Sequence, residues 1–282
     1  VVNKFTVYHL PAPSFILIAQ LLGTVAVVKG AHSVGMIEKV EPFRLNIAKT
    51  FAPAAMIFVA TILLNMKSLE YANVETFMVF RFSTPLAISI ADYLFLGRQL
   101  PSMRSWIALF GLLFGAVGYA LTDAAFEVKG YLFCAAWYAV FCLDQVYLKH
   151  ICNTVRLDNW SRVFYSNFLA AMPLIFISVG TSEQEVFGDS SRITSIGLAS
   201  LLLSVGLGAA MSYFAWAARS TISATSFTIV GNICKVLTIV INMLLWDKHA
   251  SPLGIACLLG CLAAAFFYKQ APPRDGSPRI PK

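Results

Sequence analysis

What this chain has least of is charge. Asp, Glu, Lys and Arg make up 12% of its 282 residues while 58% are hydrophobic, whereas a soluble globular domain carries about 25% charged residues. A soluble fold is excluded, and a mean hydropathy of +0.73 agrees. Cysteine is present without pattern: positions 134, 142, 152, 234, 257 and 261 contain no C-x-x-C pair. They read as small apolar packing residues, not as a disulfide framework or a metal site. The four histidines (9, 32, 150 and 249) fall at span ends or in loops, which leaves no metal cluster or proton relay. An ATP-binding motif is lacking, so primary pumping is excluded. Carboxylates and histidines do not cluster as an intramembrane transferase would need. The chain reads as a non-enzyme with no cofactor and no metal. It opens on Val1-Val2-Asn3-Lys4-Phe5 without an initiator Met or a signal peptide. The expectation is that the first helix of the fold is largely missing from it.

What is abundant is long apolar runs. Windows long enough to span a bilayer recur along the chain and predict nine spans: 13–29, 48–66, 74–96, 105–122, 130–148, 162–180, 194–218, 222–246 and 252–270. Short connections leave room for a single polytopic domain over 1–270, followed by a basic tail, 271–282. The net charge of +7 has a direction. Assigned to alternate sides of the spans, fourteen of the Lys and Arg residues fall on one side, tail included, and five on the other. The positive-inside rule puts the richer side and the C-terminus in the cytosol. The basic balance therefore reports orientation, not affinity for nucleic acid. The one glycosylation sequon, Asn159-Trp160-Ser161, falls in a predicted cytosolic loop and should be unused.

Two cations, Arg81 and Lys235, lie inside spans. A charge at the centre of a membrane helix costs roughly 2.5–3.5 kcal/mol on insertion scales, which makes it a functional candidate by default. At 100° per residue, Phe227, Gly231, Lys235, Thr238 and Asn242 share an arc of about 80°. A small residue, a cation, a hydroxyl and an amide on one stripe suit an anionic, hydroxyl-rich ligand. The alternative is a structural lysine that snorkels or is salt-bridged within the bundle. Asp144 could neutralise Arg81 or Lys235, or simply sit near a helix end. Asp92 lies about 16 Å along an ideal helix from Arg81, too far to pair with it.

Arg81-Phe82-Ser83-Thr84 and Lys235-Val236-Leu237-Thr238 each place a threonine three residues after the cation. In the helices that follow, Gly111 and Tyr119 match Gly260 and Tyr268 in separation. This weak repeat divides the chain into 1–122 and 130–270. Halves of five helices each must insert with opposite topology, which places a substrate site near the bilayer midplane. Gly111-x-x-x-Gly115 suits close helix packing. The run from Gly206 to Ser212 suits either packing or the approach of a ligand. Pro85, four residues after Arg81, removes a helical hydrogen bond and predicts a kink.

These motifs resemble those of nucleotide-sugar transporters in the drug/metabolite transporter superfamily, and most of all the Golgi GDP-sugar group. The likeness covers essentially the whole chain, from the Asn3-Lys4 pair to the plant-type run Leu245-Trp246-Asp247-Lys248-His249-Ala250. The group's base-reading motif, Phe-Tyr-Asn-Asn, corresponds to Phe164-Tyr165-Ser166-Asn167. Its sugar- and phosphate-holding motif, Gly-Ala-Leu-Asn-Lys, corresponds to Gly231-Asn232-Ile233-Cys234-Lys235. A base-contacting serine nineteen residues before the motif glycine corresponds to Ser212, and a tyrosine four before it to Phe227. Ser166, Cys234 and Phe227 each lack a polar group that the family carries.

The resemblance implies an all-α membrane bundle of ten helices in two inverted five-helix repeats. It implies substrate binding by Tyr165, Asn167, Ser212, Phe227, Gly231, Lys235 and Thr238. Tyr165 and Asn167 project about 160° apart on a regular helix, so Asn167 is expected to read the base and Tyr165 to pack. The implied activity is an antiport by alternating access, in which cytosolic GDP-mannose or GDP-fucose enters the Golgi lumen against nucleoside monophosphate. Membrane lipids and a homodimer are the further partners considered. Alternatives on the same fold are a UDP-sugar transporter and a plastid sugar-phosphate translocator. The latter carries an adjacent Lys-Arg pair, where this chain has Lys235-Val236. A non-transporting membrane protein is the alternative of a different class.

Overall fold

The computed structural model describes residue 6 and residues 12–72, 74–120, 128–179, 195–245 and 252–274. Among them lie nine helices: α1 (Pro13–Ser33), α2 (Leu45–Tyr71), α3 (Val74–Phe95), α4 (Met103–Ala120), α5 (Val128–Thr154), α6 (Asn159–Val179), α7 (Ser195–Thr221), α8 (Ala224–Leu245) and α9 (Pro252–Phe267). Each coincides with one predicted span. The ends differ where a helix outruns its apolar segment: α2 continues through Lys67 and Glu70, whose side chains pair at 2.7 Å, and α5 continues through Lys149. A helix propagates for as long as each residue adds a hydrogen bond, whatever its polarity. By length and composition α1, α2, α5 and α7 could each cross a membrane. No strand forms among the described residues, only an isolated pairing of Arg98 with Pro273.

Prolines interrupt the hydrogen bonding of the helices without ending them. α3 runs on through Pro85, whose ring nitrogen cannot donate to the Arg81 carbonyl one turn back. The Thr84 hydroxyl donates to that carbonyl instead, at 2.6 Å. This repair by a neighbouring hydroxyl is a device of membrane helices, where no water is at hand. Thr84 is thereby explained as backbone repair. Its counterpart in the sequence repeat, Thr238, lies in α8, but its side chain is outside the described residues.

The helices fall into two compact units, each built from two stretches of chain. The first comprises residues 1–59 and 155–218, hence α1, the first half of α2, α6 and most of α7. Its core joins Leu21 of α1 to Ala55 and Val59 of α2 and to Ala170, Ala171 and Leu174 of α6. Small residues let α1 and α7 approach closely: a Cβ on Gly23 would lie 2.6 Å from Val205 Cγ1. Gln20 Nε2 donates to Ser204 Oγ along the same contact. Gly206 faces open space and Gly208 touches α1 at ordinary distance, so that glycine run is only partly a packing face.

The second unit comprises residues 60–154 and 219–282. Leu109 and Leu112 of α4, Ile229 of α8, and Cys261 and Ala265 of α9 form one buried cluster. Gly111 is a packing position, since its Cβ would lie 3.0 Å from Ala264 Cβ on α9. Gly130, at the start of α5, sits against the end of α2 so tightly that a Cβ would lie 2.3 Å from the Tyr71 carbonyl oxygen. Beyond α3 the chain reverses at Gly97, whose φ of 65° favours glycine. The segment after α9 is tied to this reversal: Gln99 N–H donates to Pro272 O at 3.0 Å and Arg274 N–H to Gly97 O at 2.8 Å.

Two sequence expectations are corrected here. The sequon does not lie in a loop: Asn159 begins α6, and Ser161 is buried with its hydroxyl accepting the Glu41 N–H at 2.9 Å. A cap set by Asp158, which accepts the Trp160 N–H at 2.9 Å, starts the helix earlier than the apolar run does. Cys134, Cys152 and Cys261 are buried as expected of packing residues, but Cys234 is exposed. It lies next to Lys235 on a face of α8 that the unit leaves open.

Candidate functional site

The predicted site residues form one constellation within each unit. In the first unit, α6 presents Phe164-Tyr165-Ser166-Asn167 and α7 presents Ser212 and Trp216. Asn167 is buried, and its Nδ2 donates to Val163 O one turn back (2.8 Å) and to Ser212 Oγ (3.3 Å). The predicted base readers are thus in direct contact. Both bonds use the amide nitrogen, so the group that Asn167 has to offer a ligand is its carbonyl oxygen. Ser166, where the resembled motif has asparagine, accepts the Trp216 indole N–H at 3.1 Å and donates to Val163 O. Its polarity is spent on joining α6 to α7.

Tyr165 points away from this pair, as the two-residue spacing requires. It is fully buried, donating to Pro42 O at 2.6 Å and accepting the Arg44 N–H at 2.8 Å. Its ring stacks on Phe43 with centroids 6.0 Å apart. Tyr165 therefore holds the 42–44 segment against α6. Lys29 stands 4.4 Å from the centroid of the Phe164 ring, a cation–π contact.

In the second unit the constellation is built on α3, α5 and α8. Lys235 is exposed on α8, and no carboxylate among the described residues pairs with it. Its charged neighbour is another cation, Arg81 of α3, which acts on it through space; α3 packs against α8. Arg81 leans on aromatic faces, 5.8 Å from the Trp137 and Phe141 centroids of α5, and its buried Nε has no hydrogen-bond partner. Like charges brought together in a low-dielectric setting repel. Among the described residues no carboxylate forms an ion pair with either cation.

The rest of the α8 stripe is consistent with a ligand surface. A Cβ on Gly231 would meet nothing within 4 Å, so one turn before Lys235 the backbone is open. Phe227 is half-buried, with the Arg219 guanidinium 3.9 Å from its ring centroid. Thr238 and Asn242 continue the helix, but their side chains are outside the described residues. Asn232 is buried with its Nδ2 unpartnered, an amide displaced by two positions from that of the resembled motif.

Asp144 neutralises neither Arg81 nor Lys235. It is buried beside Arg219, which acts on it through space, and accepts from Gln145 Nε2 at 3.0 Å. Lys149 Nζ donates to the Arg219 carbonyl at 2.6 Å in the same network, which joins α5 to the α7–α8 junction. Sequence reasoning singled out Arg81 without placing it near Lys235, and it did not foresee the contacts of Arg219. The signal for Arg81 was present, since its segment matched that of Lys235. Arg219 was read only as one of the charges that orient the chain. Among the described residues no group of histidines, cysteines and carboxylates could hold a metal ion.

A helical chain with four membrane-length apolar helices among its described residues is a multi-pass membrane protein. The profile of the Triose-phosphate Transporter family matches residues 1–269. GDP-fucose transporter 1 of Arabidopsis thaliana is 37% identical over 98% of this chain and 82% of its own length. GDP-mannose transporter GONST3 of the same plant is 33% identical over 96% of this chain and 74% of its own. A solved crystal structure superposes with a TM-score of 0.69 at 15% identity, covering 94% of this chain and 90% of that one, which bears on the fold alone. The chain belongs to the Triose-phosphate Transporter family, and its all-helical architecture is consistent with the drug/metabolite transporter fold.

Proposed function

We propose that the protein is a nucleotide-sugar transporter of the Golgi membrane. It exchanges a cytosolic GDP-sugar, GDP-mannose or GDP-fucose, for lumenal nucleoside monophosphate, and its C-terminus is cytosolic. The observation that carries this reading is the pair of cations on α3 and α8, which lack a protein counter-ion among the described residues. A nucleoside diphosphate-sugar brings about two negative charges, and Lys235 offers a compact cation with three donors. Arg81 supplies the second cation from another helix, a role that the plastid sugar-phosphate translocators fill with an adjacent Lys-Arg pair. The open backbone at Gly231 leaves room for the sugar beside Lys235, with Phe227 and Thr238 on the same stripe. In the first unit, Asn167 and Ser212 read the base, and Tyr165 fixes the segment beside them. The similarity to GDP-fucose and GDP-mannose transporters supports guanine as that base.

Proteoliposomes loaded with GMP and offered a panel of radiolabelled GDP- and UDP-sugars test this. Uptake of one GDP-sugar that depends on internal GMP is expected. If UMP inhibits that uptake as well as GMP does, the guanine reading fails and a UDP-sugar transporter becomes the better account. A tag placed after Lys282 that is protected from protease in sealed microsomes would overturn the orientation.

A further inference from the structure

α8 begins with two caps. The first is local: the Ser223 hydroxyl accepts the Ser226 N–H at 3.0 Å, the standard reach of an N-cap side chain to the third helical residue. The second comes from another helix. Asp92, buried near the end of α3, accepts the Thr225 N–H at 3.0 Å and the Thr225 hydroxyl at 2.6 Å, both on Oδ2. A carboxylate on first-turn N–H groups is well placed against the helix dipole. Arg98 and Lys149 act on it through space at this end of the unit, and its Oδ1 has no hydrogen-bond partner.

The spacing along the two helices gives this joint a consequence. Arg81 lies eleven residues before Asp92 on α3, and Lys235 ten residues after Thr225 on α8. At 1.5 Å per residue the cations stand about 16 and 15 Å from the joint along their own helices. α3 runs towards the joint and α8 away from it, so both distances lead to the same depth. The joint thereby sets the register of the two cations along the packed helices. A helix pinned by its N-terminal hydrogen bonds cannot slide or turn without breaking them.

We propose that Asp92 is a positioning residue for the phosphate-binding pair, acting through Thr225 to hold Lys235 level with Arg81. This rests on the reading of Lys235 as a phosphate ligand. Only the acceptor matters in this role, so Asn, which keeps an oxygen in the same place, should substitute for it. The test is GDP affinity, read from thermal stabilisation of the purified full chain, in Asp92→Ala, Asp92→Asn, Lys235→Ala and the Asp92→Ala/Lys235→Ala double variant. Asp92→Ala is expected to weaken GDP binding by about tenfold, the scale of one lost hydrogen bond. Asp92→Asn should recover most of that loss, and Asp92→Ala should cost nothing further once Lys235 is gone.

A variant Asp92→Ala that melts earlier yet binds GDP as the parent does makes the joint a matter of stability only and overturns the inference. An equal loss in the Lys235→Ala background does so too, because Asp92 would then act independently of Lys235. If Asp92→Ala does not fold, Thr225→Val removes the hydroxyl donor and keeps the N–H; weaker GDP binding supports the inference, and unchanged binding overturns it. Absence of any GDP stabilisation in the parent overturns the phosphate reading itself. Stabilisation that Lys235→Ala loses and Asp92→Ala keeps overturns the inference alone.

Discussion

The two constellations of predicted binding residues, one in each unit, treat their polar side chains in opposite ways. In the first, the groups around the predicted base-reading motif are joined to one another: Asn167 to Ser212, Ser166 to Trp216, Tyr165 to the 42–44 backbone. In the second, two cations are set against each other on α3 and α8, with aromatic faces and an open glycine around them. A saturated network costs little to bury and fixes a shape in advance. An unsatisfied one is costly until a ligand arrives, and that cost becomes differential affinity for whatever neutralises it. Discrimination should therefore be lost by disturbing the first unit, and binding itself by disturbing the second.

The largest expected effect follows from removing the centre of the unsatisfied set. Lys235→Ala should reduce nucleotide-sugar exchange in proteoliposomes to background while the melting temperature stays close to that of the parent, since no carboxylate among the described residues pairs with the cation. Arg81→Gln should weaken GDP binding more than Arg81→Lys does, because the lysine keeps the charge. A collapse of the fold in detergent on removing Lys235 would mean that it belongs to a structural network after all.

The glycines sharpen the same contrast. A methyl at Gly130 would press on the Tyr71 carbonyl oxygen, so Gly130→Ala should destabilise the protein by about 1–3 kcal/mol, an overpacking cost visible in thermal unfolding. Gly231→Ala meets open space and should leave stability alone, yet lower exchange by crowding the ligand. Equal melting temperatures for the two variants would erase the distinction between a packing glycine and a ligand-facing one.

Asn167→Ala should act on selectivity. A site built to hydrogen-bond its ligand rejects analogues that leave buried polar groups unpaired. Inhibition by GMP and by UMP should therefore converge, with GMP weakened more. Parallel weakening of both would move the base-reading role elsewhere. The smallest effect is expected for Tyr165→Phe. Loss of the hydroxyl between Pro42 O and the Arg44 N–H should cost about 1 kcal/mol of stability. The ratio of GMP to UMP inhibition should be unchanged, and a changed ratio would make Tyr165 a ligand contact.

Much of the fold was legible in the chain because hydropathy is a local property. Nine apolar runs predicted the nine helices among the described residues, and the differences lie at helix ends, some of which caps and charged turns decide, as at Asn159 and Lys67. The opposition of Tyr165 and Asn167 was legible too, since helical geometry turns spacing into direction. Asp144 was not: its neighbour Arg219 lies far along the chain, and no pattern in either segment announces the other.

The sequence by itself determined that this is a polytopic helical membrane protein and marked Lys235 as a functional candidate, while its resemblance to nucleotide-sugar transporters pointed to Asn167 and Ser212. Tertiary structure alone decided that Arg81 acts on Lys235 through space, that Asp92 caps α8, and that Ser166 and Tyr165 are occupied within the protein. The physical reason is range. Hydropathy and helical phase repeat every few residues and can be read from any window, whereas a cap or a charge pair between distant segments exists only once packing has brought them within a few ångströms.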